Sequence, residues 1–259
     1  KLYIEKLLTE KEFEGLSNQY VSFVQVGGAY THWYRKLVYF LKIKTLIITD
    51  IDYDKKLTII NEIKDDNGIT NAGLIQYYKD YITLDIIEGE ILPYCEHKCR
   101  KQLNDCLYEK TEIERISLIQ SDLRKKPCLK IKRPDYSTIK AKPRVVDIDL
   151  WIKNTDCKLI KVVSQGEPDA YTRTLEEAML CKLLGITVES IKSSDWWEEQ
   201  ISIYKINLDI PTRKKNITVR DILDENRNNK TDFMYSIILS RLHLKALPNY
   251  IREGLMWLM

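Results

Sequence analysis

The sequence predicts an α/β fold, a parallel sheet flanked by helices with a mainly helical module inserted into it, and three observations carry that prediction. The first is a set of short, nearly all-apolar, β-branched runs: YVSFVQV (20–26), TLIIT (45–49) and KLIKVV (158–163). Alternation of polar and apolar residues disappears when both faces of a strand are covered, as they are inside a parallel sheet. The second is a helical pattern directly after each of the outer two runs. THWYRKLVYFLKI places Trp33, Leu37, Phe40 and Leu41 at helical spacing, and TLEEAMLCKLLGI places Leu175, Met179 and Leu183 on one face before stopping at Gly185. The third is the rhythm itself, because strand, helix, strand is a right-handed crossover unit.

Taken in order, residues 1–85 hold the first part of the core, with the runs at 20–26 and 45–49 as its strands. Residues 86–150 are too many for a single connection. They read as an inserted module, helical around ISLIQSDL and then strongly basic, with Pro127, Pro134 and Pro143 disfavouring a continuous helix in the basic part. Residues 151–259 bring the third strand, its helix, and a run of helices or short elements: WWEEQISIY, TVRDILDEN, TDFMYSIILSRLHL and YIREGLMWL.

A chain of 259 residues, 44% of them apolar, can bury a sizeable core. Its formal charge of +3 is a small difference between 41 basic and 38 acidic residues, so the overall balance announces no nucleic-acid partner. The distribution says more. Residues 124–144 carry nine Lys or Arg against Asp135 alone, a local net of +8 that leaves 3 − 8 = −5 for the remainder. No run approaches the ~20 apolar residues of a membrane span, and KLYIEKLLTEKEFEG is charged where a signal peptide has its apolar core. The expectation is a cytoplasmic protein with no membrane partner. Its six cysteines are spread through a core-rich chain, which points to free thiols in a reducing compartment. The first residue is Lys1 rather than Met, which reads as a piece of a longer protein.

The second strand ends in ITDIDYD, and residues two apart on an extended chain point the same way, so Asp50 and Asp52 can present two carboxylates together. The carboxyl edge of a parallel sheet is where ligands bind, and paired carboxylates suit a hard divalent cation. The same pair can simply mark a turn after a strand. In YTRTLEEAML, Thr174 and Glu177 have the spacing of a capping box, leaving Glu176 to project near a helix N-terminus. Gln25, in FVQVGGAY, is the polar residue at the entrance of the first helix, and His32 lies seven residues beyond it. Cys95, His97, Cys99 and Cys106, with Cys128, offer ligand types for zinc in a spacing that is not a common closed motif. The basic stretch, through Lys125, Lys126, Lys130, Lys132, Arg133, Lys140, Lys142 and Arg144, can track a phosphate backbone or stand as a solvated loop.

These pieces together resemble the Toprim domain of the OLD (overcoming lysogenisation defect) family of ATP-dependent endonucleases, which includes the Gabija defence nucleases. VGGAYTHWYRKLVYFLKIKTLIITDID resembles the family's first strand, helix and D-x-D strand. GITNAGL (68–74) resembles its T-N-A segment, RTLEEAML its third acidic motif, and NKTDFMYSII (229–238) and LPNYIREGLMWL (247–258) its C-terminal pieces. The likeness covers about two thirds of the chain and leaves out 86–150.

The resemblance implies a metal-dependent DNA endonuclease using Mg²⁺ or Mn²⁺, with Asp50, Asp52, Thr174 and Glu176 at the metal and Lys230 as the active-site lysine. It also implies that residue 25 is the family's metal-binding Glu position, here occupied by Gln25. An amide supplies neither the charge that holds a cation nor the basicity that activates water. Gln25 therefore implies an engineered or natural loss of activity, and leaves open a catalytically dead module that binds DNA or serves assembly. The sequence has no G-x-x-x-x-G-K-[ST] phosphate loop. ATP would act only through a separate N-terminal ATPase half, which the resemblance gives as the partner through which the chain forms a homo-oligomer. A helicase or other component of an antiphage defence system is the further partner implied.

Overall fold

The computed structural model describes residues 1–65, 68–77, 144–146, 159–212 and 214–259. Its centre is a parallel pair, β1 (Thr45–Ile48) and β2 (Ile160–Val163), in register from Thr45 opposite Ile160 to Ile48 opposite Val163. Both strands come from the apolar runs read as strands, and β2 is the better covered, with Ile160, Val162 and Val163 buried. A second, antiparallel pair joins β3 (Lys192–Ser193) to β4 (Asn216–Ile217). The architecture is α/β, a parallel sheet flanked by helices.

Before β2 the helices are α1 (Leu2–Leu7), α2 (Glu14–Ser17), α3 (Arg35–Leu41), α4 (Ile60–Asp65) and α5 (72–77). After it come α6 (Leu175–Leu184), α7 (Ser194–Tyr204), α8 (Val219–Glu225), α9 (Lys230–Leu239) and α10 (Asn249–Leu258). The last four match the C-terminal patterns of the sequence. α6 starts where Thr174 accepts a hydrogen bond from the Glu177 N–H, and stops where Gly185 turns left-handed at φ 65°. Met179 and Leu183 are buried on its inner face, as their spacing requires.

α10 lies across the sheet, and its seat explains a glycine. A Cβ on Gly254 would stand 2.9 Å from Leu46 Cδ1 and 3.2 Å from Val163 Cγ2, so the helix approaches both strands at a distance that only glycine permits. The other end of the helix is fixed by Asp169. Its carboxylate accepts from the N–H groups of Asn249 and Tyr250 at 2.7 and 2.9 Å, closing two of the free donors at the helix start. The core continues through Leu7, Phe13, Leu16, Ile51, Tyr53 and the fully buried Trp197, whose indole N–H donates to the Ile217 carbonyl.

One predicted strand is absent. Residues 20–27 form neither strand nor helix, with Tyr20 97% and Val24 73% exposed. Among the described residues the parallel sheet holds two strands, neither of them this one. The helix expected next begins as a 3₁₀ turn, Gly28–Tyr34, before α3, and the face assigned to the core is instead exposed: Trp33, Leu37, Phe40 and Leu41. Of the module expected at 86–150, only residues 144–146 are described; the rest, with Cys95, His97, Cys99, Cys106 and Cys128, lies outside the described residues.

Candidate functional site at the carboxyl edge of the parallel pair

β1 stops at Ile48, so the D-x-D pair sits on the loop beyond it rather than on the strand. Asp52 has a left-handed backbone, φ 49°, a conformation that Asp tolerates better than most residues. The two carboxylates consequently do not share the parallel aim expected of an extended chain. Asp50 turns to the neighbouring strand end, where its Oδ1 accepts from Gln165 Nε2 at 2.7 Å. Asp52 faces Arg173, whose guanidinium lies 3.6 Å from its Oδ1.

The loop is held from below by the segment T-N-A. Asn71 donates through Nδ2 to the Asp50 carbonyl at 2.6 Å and to Thr49 Oγ1 at 2.9 Å. Thr70 donates to the Asp52 carbonyl twice, from its N–H at 2.6 Å and its hydroxyl at 2.9 Å. These bonds offset the cost of the left-handed turn, and they give the motif a structural role that its sequence alone does not disclose.

Glu176 and Lys230 arrive from two different helices. Glu176 stands in the first turn of α6, where the helix dipole favours an acid. Lys230 is the first residue of α9, where the dipole disfavours a cation, and its Nζ donates to Glu176 Oε2 at 3.2 Å. The neighbouring acid offsets that misplacement. The Thr174 hydroxyl is occupied with the α6 cap.

Electrostatics tie the set together. Burial pushes the Asp50 carboxyl up to about 6, the Gln165 hydrogen bond opposes this, and the charges of Glu176 and Asp52 push it further up while Lys230 pulls it down. Carboxylates that raise a neighbour in this way are, in donor chemistry, what a hard divalent cation relieves. In that sense Asp50, Asp52 and Glu176 fit one. Their present partners are Gln165, Arg173 and Lys230, and among the described residues no three His, Cys, Asp or Glu side chains stand close enough together to hold an ion.

Gln25 is exposed on the segment that forms no strand, and it makes no hydrogen bond to Asp50, Asp52 or Glu176. His32 is half-buried on the 3₁₀ turn, its ring 5.9 Å from that of Trp33. Of the basic stretch, Arg144 is described and exposed; Lys125, Lys126, Lys130, Lys132, Arg133, Lys140 and Lys142 lie outside the described residues.

Sequence reasoning missed a buried network beneath the site. The Glu177 carboxylate accepts from the Arg173 N–H and from Arg220 Nε, so it does more than close a capping box. Arg220 also donates to the Tyr53 hydroxyl and, at 3.2 Å, to the Lys55 carbonyl, while Arg173 Nε donates to the Tyr53 carbonyl at 2.7 Å. The Tyr53 hydroxyl in turn donates to the Tyr171 carbonyl at 2.6 Å. Arg220 sits on α8 in a helical pattern that marks it as surface; only its distant partners reveal it. Cys181, on the buried side of α6, has its thiol pushed up by burial, which keeps it protonated and unreactive.

Residues 1–52 match the family model described as overcoming lysogenization defect protein-like, TOPRIM domain. The match takes in about one fifth of the chain and ends on Asp52, so it includes Gln25 and the whole D-x-D pair. No curated protein and no solved structure matches the chain. Among the described residues no helix is long and apolar enough to cross a membrane.

Proposed function

From the premise that this chain carries an OLD-like Toprim domain, a nuclease-type metal-binding domain, we propose that it is the nuclease part of an ATPase-nuclease that cleaves DNA phosphodiesters with Mg²⁺ or Mn²⁺. The observation that supports this reading best is that the charges of Asp52 and Glu176, from a loop and a helix far apart in sequence, both act on the Asp50 carboxyl at the end of the parallel pair, with Lys230 on Glu176.

In this reading Asp50, Asp52 and Glu176 are the residues that hold the ion, which when bound supplies Lewis acidity toward a phosphate oxygen. Lys230 and Arg173 are the cations beside the acids. With the acids engaged by an ion, both would be free to face the anionic backbone, where Lys230 would neutralise charge that builds on the phosphate in the transition state. The basic stretch 124–144 supplies a salt-sensitive grip on the duplex. Residue 25 completes the acidic set in an active form, and Gln25 leaves it one charge short. An antiphage role beside Gabija-type systems, a homo-oligomer built through an ATPase half, and a helicase partner belong to the same proposal by family analogy.

A second reading, a Toprim module that binds DNA or serves assembly without cutting, is favoured by one observation: Gln25 is an amide, exposed, and unbonded to the acids. Plasmid cleavage with Mn²⁺, comparing the chain with its Gln25→Glu variant, each joined to its ATPase half, separates the two. Cleavage restored by Glu supports the nuclease. DNA binding by both variants without cleavage by either supports the platform.

A further inference from the structure

Gln165 belongs to no motif of the sequence, and it is the residue that touches Asp50. It lies just past the end of β2 and is fully buried, 0% exposed. The two ends of its amide are divided between two groups beyond the end of the neighbouring strand. Oε1 accepts from the Ile51 N–H at 2.9 Å and Nε2 donates to Asp50 Oδ1 at 2.7 Å.

The direction of the amide is fixed by chemistry. A backbone N–H only donates, so the oxygen must face Ile51, and the nitrogen is thereby turned on the carboxylate. One oxygen of Asp50 is thus engaged, while Oδ2 carries no hydrogen bond among the described residues. Asn71 works from the other side. Its bond to the Asp50 carbonyl fixes the backbone from which the carboxylate projects. Tyr250, from α10, brings its hydroxyl to 3.5 Å from Gln165 Nε2, a long contact that backs the amide with the helix lying across the sheet.

We propose that Gln165 is the positioning residue of Asp50: by occupying Oδ1 it presents Oδ2 to a divalent cation at the strand edge, so that Asp50 binds through one oxygen. This rests on the metal-nuclease reading of the same site. A neutral amide suits the task for a stated reason. A carboxylate at 165 would repel Asp50, and an apolar side chain would leave both the Ile51 donor and the Asp50 carboxylate unheld.

Isothermal calorimetry of Mn²⁺ binding to the whole chain, at a temperature where each variant is folded by circular dichroism, tests the inference. Gln165→Met keeps the volume and removes both hydrogen bonds. Groups that orient a metal ligand change affinity by about 10- to 100-fold when lost, and a loss of at least tenfold is expected here. A purely structural glutamine would lower the melting temperature and leave the affinity of the folded protein unchanged; that result overturns the proposal. Should Gln165→Met fail to fold because the Ile51 N–H is orphaned, Gln165→Glu retains that acceptor and still removes the donor from Asp50. An affinity within about twofold of the unmodified chain then overturns the proposal, and a departure of tenfold or more supports it. An unmodified chain that binds no Mn²⁺ sinks the metal reading and this inference with it. Binding by the chain with no effect of either variant sinks the inference alone.

Discussion

Replacing Asp50 by Asn is expected to stabilise this protein at neutral pH, which is the opposite of what removing a hydrogen-bonded buried residue usually does. Asp50 is held at about 6, against an ordinary 3.8, chiefly because burial penalises its charge. A carboxyl whose folded pKa lies above its unfolded one binds more protons folded than unfolded, so its contribution is present below pH 3.8 and is lost as pH rises through 6. At 1.36 kcal/mol per tenfold, the loss amounts to about 3 kcal/mol by pH 7. Asn carries no charge to penalise, and its Oδ1 still accepts from Gln165 Nε2, so the variant keeps the clamp. Urea unfolding from pH 4 to pH 8 measures it. The unmodified chain should lose up to ~3 kcal/mol across that range from this group, and Asp50→Asn should remove that part of the slope. Saturating Mn²⁺ should stabilise the unmodified chain at pH 7 and do less for the variant. A variant less stable than the parent at pH 7, or an unchanged slope, would mean that no uncompensated charge resides on Asp50.

Two further outcomes are set by the packing. Gly254→Ala forces a methyl into Leu46 and Val163, and overpacking of about 1–3 kcal/mol should outweigh the roughly 1 kcal/mol that Ala gains in a helix; a raised urea midpoint would contradict the close seat of α10. Arg220→Met leaves the Glu177 carboxylate buried at 2% exposure with its charge partner gone, a loss expected at about 3–5 kcal/mol, and the double variant with Glu177→Leu should regain most of it; a single variant within ~1 kcal/mol of the parent would remove the network as the tie between the D-x-D loop and α6.

What the sequence discloses and what it hides divide along a physical line. Local signals carry through: Thr174 and Gly185 bound α6 because cap chemistry acts within one turn, and the apolar runs at 45–49 and 158–163 pair because each is apolar enough to be covered. The run at 20–26 is likewise apolar and is no strand, since pairing is set by tertiary placement, which composition does not encode. The same limit governs the site. Asp50, Asp52, Glu176 and Lys230 are readable as residues, whereas the aim of each depends on the left-handed turn at Asp52 and on partners more than a hundred positions away, such as Gln165 for Asp50 and Arg173 for Asp52. Gln165 and Arg220 carry no signal of their own; a buried amide and a buried guanidinium look like surface residues until their partners are known.

Whether these acids gather around an ion is open to direct observation, by anomalous diffraction from crystals of the chain soaked in Mn²⁺. A manganese peak is expected at the carboxyl edge of the parallel pair, bounded by Asp50, Asp52 and Glu176, with Lys230 moved off Glu176. A peak elsewhere, or none while Lys230 and Arg173 keep their present partners, would contradict a metal centre at this edge.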